Sequence, residues 1–280
     1  MLKIFDDYRY QVSDLENRIN RFSIPVQDEA FYKNSLLKLL GVLDLTTLEG
    51  SDTEAKVIAL CRKAAFSKLT GNYPDSAAVC VYPSLVKVAV RELKGTGIHV
   101  ASVAGAFPSG QSGLHIKLEE VKYAIGEGAD EIDTVISRGK LIEGADNEVY
   151  DELCAIREMC GNTHLKVILE TGELPTVALI RKASELAILS GADFIKTSTG
   201  KISVGATPVA FLVMLDTIHE YLEKTGKSIG IKPAGGIRTP EQALVYVQLL
   251  TKMLGEQWFQ KNYFRIGASS LADDILKVLA

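Results

Sequence analysis

Eight short apolar runs, each followed by a longer amphipathic stretch, divide the chain from about residue 40 onward. They are "LGVLDLT", "AAVCVYP", "IHVASVA", "EIDTVIS", "HLKVILE", "FIKTSTG", "IGIKPAGG" and "YFRIGASS". Stretches such as "DTEAKVIALCRKAAFSKL", "SLVKVAVRELKGTG" and "ELPTVALIRKASELAILSG" lie between them, with apolar residues spaced i, i+3, i+4 and glycines at several ends. Strands that alternate with helices run parallel, joined by crossovers. Comparable points in the last five runs are Asp133, Lys166, Lys196, Lys232 and Ile266, separated by 33, 30, 36 and 34 residues. A βαβ unit needs about 30 residues, and eight of them suit a closed barrel of about 250. The expected fold is therefore α/β, a (β/α)8 TIM barrel over residues 40–280 with an N-terminal helical extension over residues 1–39. A doubly wound open sheet is the alternative. It is disfavoured because no G-x-G-x-x-G follows an early strand.

In the extension, "SDLENRINRF" reads as a helix, with Ser13 as N-cap and Glu16 three residues on. Such a helix is expected to cover the barrel bottom or to make an oligomer contact. The N-terminal stretch carries acidic residues, which argues against a signal or transit peptide. No run of about 18 apolar residues occurs, so no membrane span is expected. The net charge of −4 implies no general polyanion-binding surface, so any phosphate site must be local. The four cysteines, Cys61, Cys80, Cys154 and Cys160, lack C-x-x-C spacing, as expected of reduced thiols in a cytoplasmic protein.

Side chains alternate across a strand, so Lys166, Ile168 and Glu170 share a face, as do Glu131 with Asp133 and Phe194 with Lys196. One face of each strand points into a barrel, and barrel active sites sit at the C-terminal strand ends. Asp133, Lys166, Lys196 and Lys232 fall on four consecutive strands and can converge there. One such lysine alone would be read as snorkelling to solvent. Four ionisable residues at comparable strand positions are harder to ascribe to chance. An ordinary lysine has a pKa near 10.4, leaving about one amine in 2,500 uncharged at pH 7. Lowering it to about 7 requires roughly 4.6 kcal/mol, which burial and neighbouring cations can supply. A neutral lysine attacks a carbonyl to form an imine, an electron sink that lets a nearby carbon–carbon bond break or form. Asp133 would supply the acid–base steps through a water.

Three stretches look built for an anion. "TSTGK" ends in Gly200 and Lys201. "KPAGGIRTPEQA" holds Gly235 and Gly236, then a helix start with Thr239 as N-cap, Pro240 at N1 and Gln242 at N3. "FRIGASS" holds Gly267, Ser269 and Ser270 between the eighth strand and the last helix. Loops after strands seven and eight often bind phosphate in this fold. The histidines His99, His115, His164 and His219 form no metal-binding pattern. Cys80 reads as a core thiol, with an aldehyde-reactive thiol as the alternative.

The stretches "LDLTTL", "AAVCVYP", "GADEIDTVI", "LKVILETGEL", "GADFIKTSTGK", "KPAGGIRT" and "FRIGASSL" together resemble the deoxyribose-phosphate aldolase family of class I aldolases, over nearly everything from Leu43 to Leu271. The resemblance implies reversible cleavage of 2-deoxy-D-ribose 5-phosphate to D-glyceraldehyde 3-phosphate and acetaldehyde, with no metal or organic cofactor. Lys196 matches the Schiff-base lysine, Lys232 the lysine that depresses its pKa, Asp133 the proton-relay carboxylate and Lys166 the lysine assisting that relay. Gly200, Lys201, Gly235, Gly236, Gly267, Ser269 and Ser270 match phosphate-site positions, and Arg238 is a further candidate there. Asp44 and Cys80 match pocket-lining positions. Two departures stand out. The given chain ends at Ala280 without the tyrosine-tipped tail of many members, from which weaker proton exchange on acetaldehyde is expected. "VAGAFPSGQS" also varies from the Asn-Phe-Pro form of many bacterial members, although a Gly-Phe-Pro form also occurs in the family. The expected partners are a phosphosugar and a second copy of the chain as a homodimer, with neither nucleic acid nor membrane. The alternatives are another Schiff-base aldolase or a transaldolase-like enzyme, a phosphosugar isomerase on the same barrel, and a non-catalytic binding scaffold.

Overall fold

The structure, a computed structural model, describes residues 4–22 and 28–279. The portions of the expected extension at 1–3 and 23–27, and the last residue of the expected barrel, lie outside the described residues. Two helices, α1 (Val12–Phe22) and α2 (Glu29–Leu40), precede the barrel. Eight strands follow: β1 (Leu43–Thr46), β2 (Ala78–Val81), β3 (His99–Ala104), β4 (Glu131–Val135), β5 (His164–Ile168), β6 (Phe194–Lys196), β7 (Gly230–Lys232) and β8 (Ile266–Ala268). The helices among and after them are α3 (Glu54–Ala64), α4 (Phe66–Thr70), α5 (Val86–Leu93), α6 (Leu114–Gly126), α7 (Arg138–Ile142), α8 (Asp146–Cys160), α9 (Val177–Leu189), α10 (Pro208–Thr225), α11 (Pro240–Leu254) and α12 (Leu271–Leu279).

Each of the eight expected runs forms a strand. The sheet runs β7-β6-β5-β4-β3-β2-β1-β8, every hydrogen-bonded pair in it is parallel, and bridges Ile231–Phe264 and Ala234–Gly267 close β7 onto β8. The alternation of side chains separates two cores. Leu43, Leu45, Val79, Ile132, Leu165, Val167, Ile195, Ile231 and Ile266 belong to the large cluster between strands and helices. The opposite faces of β2 and β3 give a small inner cluster of Ala78, Cys80, Ala101 and Val103 with Leu48. The inner faces of β1 and of β4 to β7, with Arg265 just before β8, carry the charges instead.

The helix start forecast at Thr239 is present: its side chain accepts from the Gln242 N–H, the Gln242 side chain returns the bond, and Pro240 occupies the first turn. The helix stretch after β1 breaks at Ala65 into α3 and α4. The expected cap at Ser13 is corrected. α1 begins at Val12, the Gln11 carbonyl accepts the first helical N–H groups, and Asp14 Oδ2 accepts from the Gln11 N–H at 2.9 Å. A longer carboxylate side chain inside the first turn reaches back and takes the cap, leaving Ser13 within the helix. Nor does α1 cover the barrel bottom. It packs on α10 and α11 in the outer layer, where Arg18 makes two 2.7 Å bonds to Asp216 and the Tyr8 hydroxyl donates to Asp216 at 2.6 Å. Leu15 on its inner side is fully buried.

Candidate active site

Four strands deliver one carboxylate and three amines to a single point. Asp133 Oδ2 accepts from Lys196 Nζ at 2.8 Å and Lys232 Nζ at 2.9 Å, and Asp133 Oδ1 accepts from Lys166 Nζ at 2.9 Å. The four residues do not sit at one height. Asp133 pairs in register with Lys166, Lys166 with Phe194, and Lys196 with Lys232, so the last pair is one inward step nearer the mouth. Closing a barrel staggers its strands, and the length of the Lys166 side chain spans the difference.

Electrostatics separates the amines. Burial would push Asp133 up, but the ammonium groups of Lys166, Lys196 and Lys232 hold it well below the usual carboxylate range. Burial lowers Lys196, and Lys232 beside it lowers it further, against the pull of Asp133. For Lys232 and Lys166 burial acts in the same direction, but their carboxylate partners overcome it and raise both. The lysine identified from the strand pattern and the resemblance as the nucleophile is thus the one of the three whose proton is loosened.

Beneath this point lies a second layer of charge that sequence reasoning missed. Arg265, at the foot of β8, donates from Nη1 to Asp44 at 2.7 Å and from Nη2 to Glu131 at 2.8 Å, with its guanidinium 5.7 Å from the centre of the Phe194 ring. Asp44 lies 2.5 Å from Lys232, Glu131 also pairs with Lys166, and His99 Nδ1 is 2.7 Å from Glu131. Gly267 keeps the space open, since a Cβ there would meet Ala234 Cβ at 2.8 Å and Lys232 Cε at 3.2 Å. The only sequence signal was an arginine in the run "YFRIGASS" and a glutamate sharing the Asp133 face. Asp44 and Cys80, expected along the pocket wall, are instead fully buried beneath it. Burial pushes the Cys80 thiol up to about 11.

Above the charges opens a cavity of about 540 Å³. Its wall includes Lys196, Gly200, Lys201, Gly235, Gly236, Arg238, Gly267, Ser269 and Ser270. All the candidate anion-binding residues are therefore gathered, and of the four converging residues Lys196 is the one on the wall. Gly235, at φ 81, packs against Gly200 and Gly205: a Cβ would meet each of their Cα atoms at 3.2 Å. Lys201 is engaged by Glu49, Nζ to Oε1 2.8 Å, so an incoming anion would compete with that carboxylate. Glu49, Lys56 and Lys63 on the wall were not foreseen.

Glu170 departs from the expected inner face. β5 ends at Ile168, and Glu170 turns into the left-handed region at φ 53. Its buried carboxylate accepts from the Thr199 N–H at 3.1 Å and from the Thr199 hydroxyl, whose oxygen in turn accepts from the Lys201 N–H at 3.1 Å. It braces the "TSTGK" loop from behind. Among the described residues, no group of three His, Cys, Asp or Glu side chains could hold a metal ion.

Comparisons with known proteins identify the family of the chain. Residues 38–271 match the family described as DeoC/LacD family aldolase. The chain is 46% identical over 251 residues to the deoxyribose-phosphate aldolase of Homo sapiens, covering 86% of this chain and 79% of that one. It is 47% identical, over the same shares, to that of Mus musculus. A solved structure titled as the unique tetrameric structure of deoxyribose phosphate aldolase from Aeropyrum pernix superposes with a TM-score of 0.70 at 25% identity, covering 90% of this chain and 97% of that one.

Proposed function

Because the chain belongs to the DeoC/LacD aldolase family and is an aldolase, a lyase, we propose that it cleaves 2-deoxy-D-ribose 5-phosphate reversibly through an imine on Lys196. The observation that carries this reading is Lys196 itself. It stands on the wall of a cavity of about 540 Å³, lined also by Gly235, Gly236, Ser269 and Ser270, with its proton loosened by burial and by Lys232.

In the cleavage direction, Lys196 Nζ adds to the C1 aldehyde of the open-chain sugar and water leaves, giving the iminium. The C3 hydroxyl gives up its proton and becomes the carbonyl of glyceraldehyde 3-phosphate. The C2–C3 bond breaks, and its electron pair passes into the iminium to form an enamine. Protonation at C2 and hydrolysis release acetaldehyde and restore the amine. Asp133, one hydrogen bond behind Lys196, moves protons through a water, and Lys166 steadies it from below. The phosphate is held by the backbone N–H groups of the loops after β7 and β8 and by the N-terminal end of α12. Lys201 is released from Glu49 to meet the phosphate, with Arg238 at the rim.

The proposal extends to breakdown of deoxyribonucleotide sugars in the cytoplasm by a homodimer. No helix of the described residues is long and apolar enough to cross a membrane. Within the chain, residues 40–280 are taken as the catalytic barrel and residues 1–39 as a helical extension, whose α1 is fastened to the outer layer. Incubation with deoxyribose 5-phosphate or acetaldehyde, borohydride reduction, digestion and mass spectrometry test the mechanism. A reduced adduct on Lys196 is expected; folded protein that yields none refutes the imine.

A further inference from the structure

Layers of branched apolar side chains normally fill a barrel of this kind. In this one, seven ionisable groups are buried inside, Lys196 alone among them on the cavity wall. Asp44, Glu131 and Asp133 are the carboxylates; Lys166, Lys196, Lys232 and Arg265 are the cations; none is more than 3% exposed. The Cys80 thiol facing them is neutral, raised to about 11 by burial. His99, the first residue of β3, touches only Glu131 among them.

The pairing is uneven. Arg265 holds two carboxylates, Asp44 and Glu131; Lys166 holds Glu131 and Asp133; Lys232 holds Asp133 and Asp44. Lys196 reaches Asp133 alone, on the oxygen it shares with Lys232. Three carboxylates are thus matched by three cations with Lys196 left out. A sealed interior disfavours net charge, so one of the four cationic sites gives up its proton. Arg265 cannot be that site, because a guanidinium does not deprotonate in a protein.

We propose that Arg265 is a positioning residue for the aldol chemistry: by bridging Asp44 and Glu131 it completes the charge balance of the barrel interior without Lys196, and so leaves Lys196 as the free amine. Arg265 never touches the substrate; it acts through the two carboxylates. Its planar fork spans two anions at once, and a lysine placed there could share the proton loss and blur the choice. The direction of each amine agrees: Lys196 is lowered while Lys166, Lys232 and Arg265 are raised.

The inference rests on the imine reading of Lys196, and its test separates the two. Initial rates of imine formation with acetaldehyde, trapped by borohydride and located by mass spectrometry, are measured on the full chain from about pH 6 to 10. In Arg265→Met the interior gains a net negative charge, Lys196 keeps its proton, and the limb moves to higher pH by about one unit, an approximately tenfold loss of trapping at pH 7. In Glu131→Gln the imbalance reverses and the limb moves to lower pH. In the double variant R265M/E131Q the count balances again, and the limb returns towards that of the parent. A merely structural arginine would lower the rates without moving the limb, and limbs that superimpose, or that shift the same way in both single variants, overturn the proposal. Circular dichroism reports folding. If Arg265→Met and the double variant do not fold, Glu131→Gln decides by itself: a limb moved to lower pH upholds the count, and an unmoved one overturns it. Absence of any adduct on Lys196 in the parent protein would refute the imine mechanism instead.

Discussion

Lys196 and Lys232 are register partners on adjacent strands and reach the same oxygen of Asp133, at 2.8 Å and 2.9 Å. What distinguishes them is a second carboxylate. Lys232 also has Asp44 at 2.5 Å, whereas Lys196 has no other acidic partner among the described residues and opens to the cavity. In the proposed mechanism the pair divides the work: Lys232, raised by its carboxylate partners, supplies positive charge, while Lys196, lowered by burial, supplies the nucleophile.

Replacing the nucleophile should end the reaction. Lys196→Leu is expected to reduce kcat by at least about a thousandfold and to abolish the borohydride adduct, while the phosphate end of the site still binds inorganic phosphate. Turnover close to that of the parent would remove Lys196 from the mechanism.

Lys232→Leu takes one cation from the interior, so the remaining carboxylates retain the Lys196 proton. The acid limb of kcat/KM should move to higher pH, with activity at pH 7 down about tenfold or more. A limb at its original position would mean that Lys232 does not govern the Lys196 proton.

Ser269 lies on the cavity wall just before α12. Ser269→Asp sets a like charge where the phosphate is proposed to sit. KM for deoxyribose 5-phosphate should rise about tenfold, and KM for unphosphorylated deoxyribose should change little, since only the former carries the repelled group. Equal rises for both sugars would place the phosphate elsewhere.

Glu170 offers a pH test of stability. Burial raises its pKa above the ordinary value of 4.5, despite the two bonds from Thr199. The folded state therefore binds this proton more tightly than the unfolded state does. Its contribution to stability is complete below about 4.5 and is lost as pH climbs through the folded value. Glu170→Gln does not titrate, so Tm of the variant relative to the parent should improve steadily from about pH 4 to pH 8. A difference that stays flat, or that falls, would mean that the ionised carboxylate is held without penalty.

The fastening of the N-terminal helix is testable through Leu15, fully buried against the outer layer. Leu15→Ala should cost about 2–3 kcal/mol in chemical denaturation, with kcat unchanged because α1 is remote from the cavity. A loss below about 0.5 kcal/mol would show that α1 adds nothing to the barrel.

What the sequence determined by itself is the part written at short range. Eight apolar runs at βαβ spacing were enough for strands, their parallel direction and closure into a barrel. The period of two placed Asp133, Lys166, Lys196 and Lys232 on inward faces, and a capping box named the start of α11. Each of these depends on neighbours within a few residues or on a repeat length, and backbone hydrogen bonding makes such patterns readable. Only the tertiary structure decided which charges meet. Arg265 and Asp44 are 221 positions apart and touch because closure sets β8 beside β1. Lys201 finds Glu49 across 152 positions, and the stagger of a closed sheet lowers Lys166 by one inward step relative to Lys196. Glu170 leaves the inner face because its strand stops two residues earlier. The physical reason is one of range. Strand and helix patterns are set by local geometry, whereas the protonation of a buried amine depends on every charge sharing its low-dielectric interior, and that set exists only once the barrel has closed.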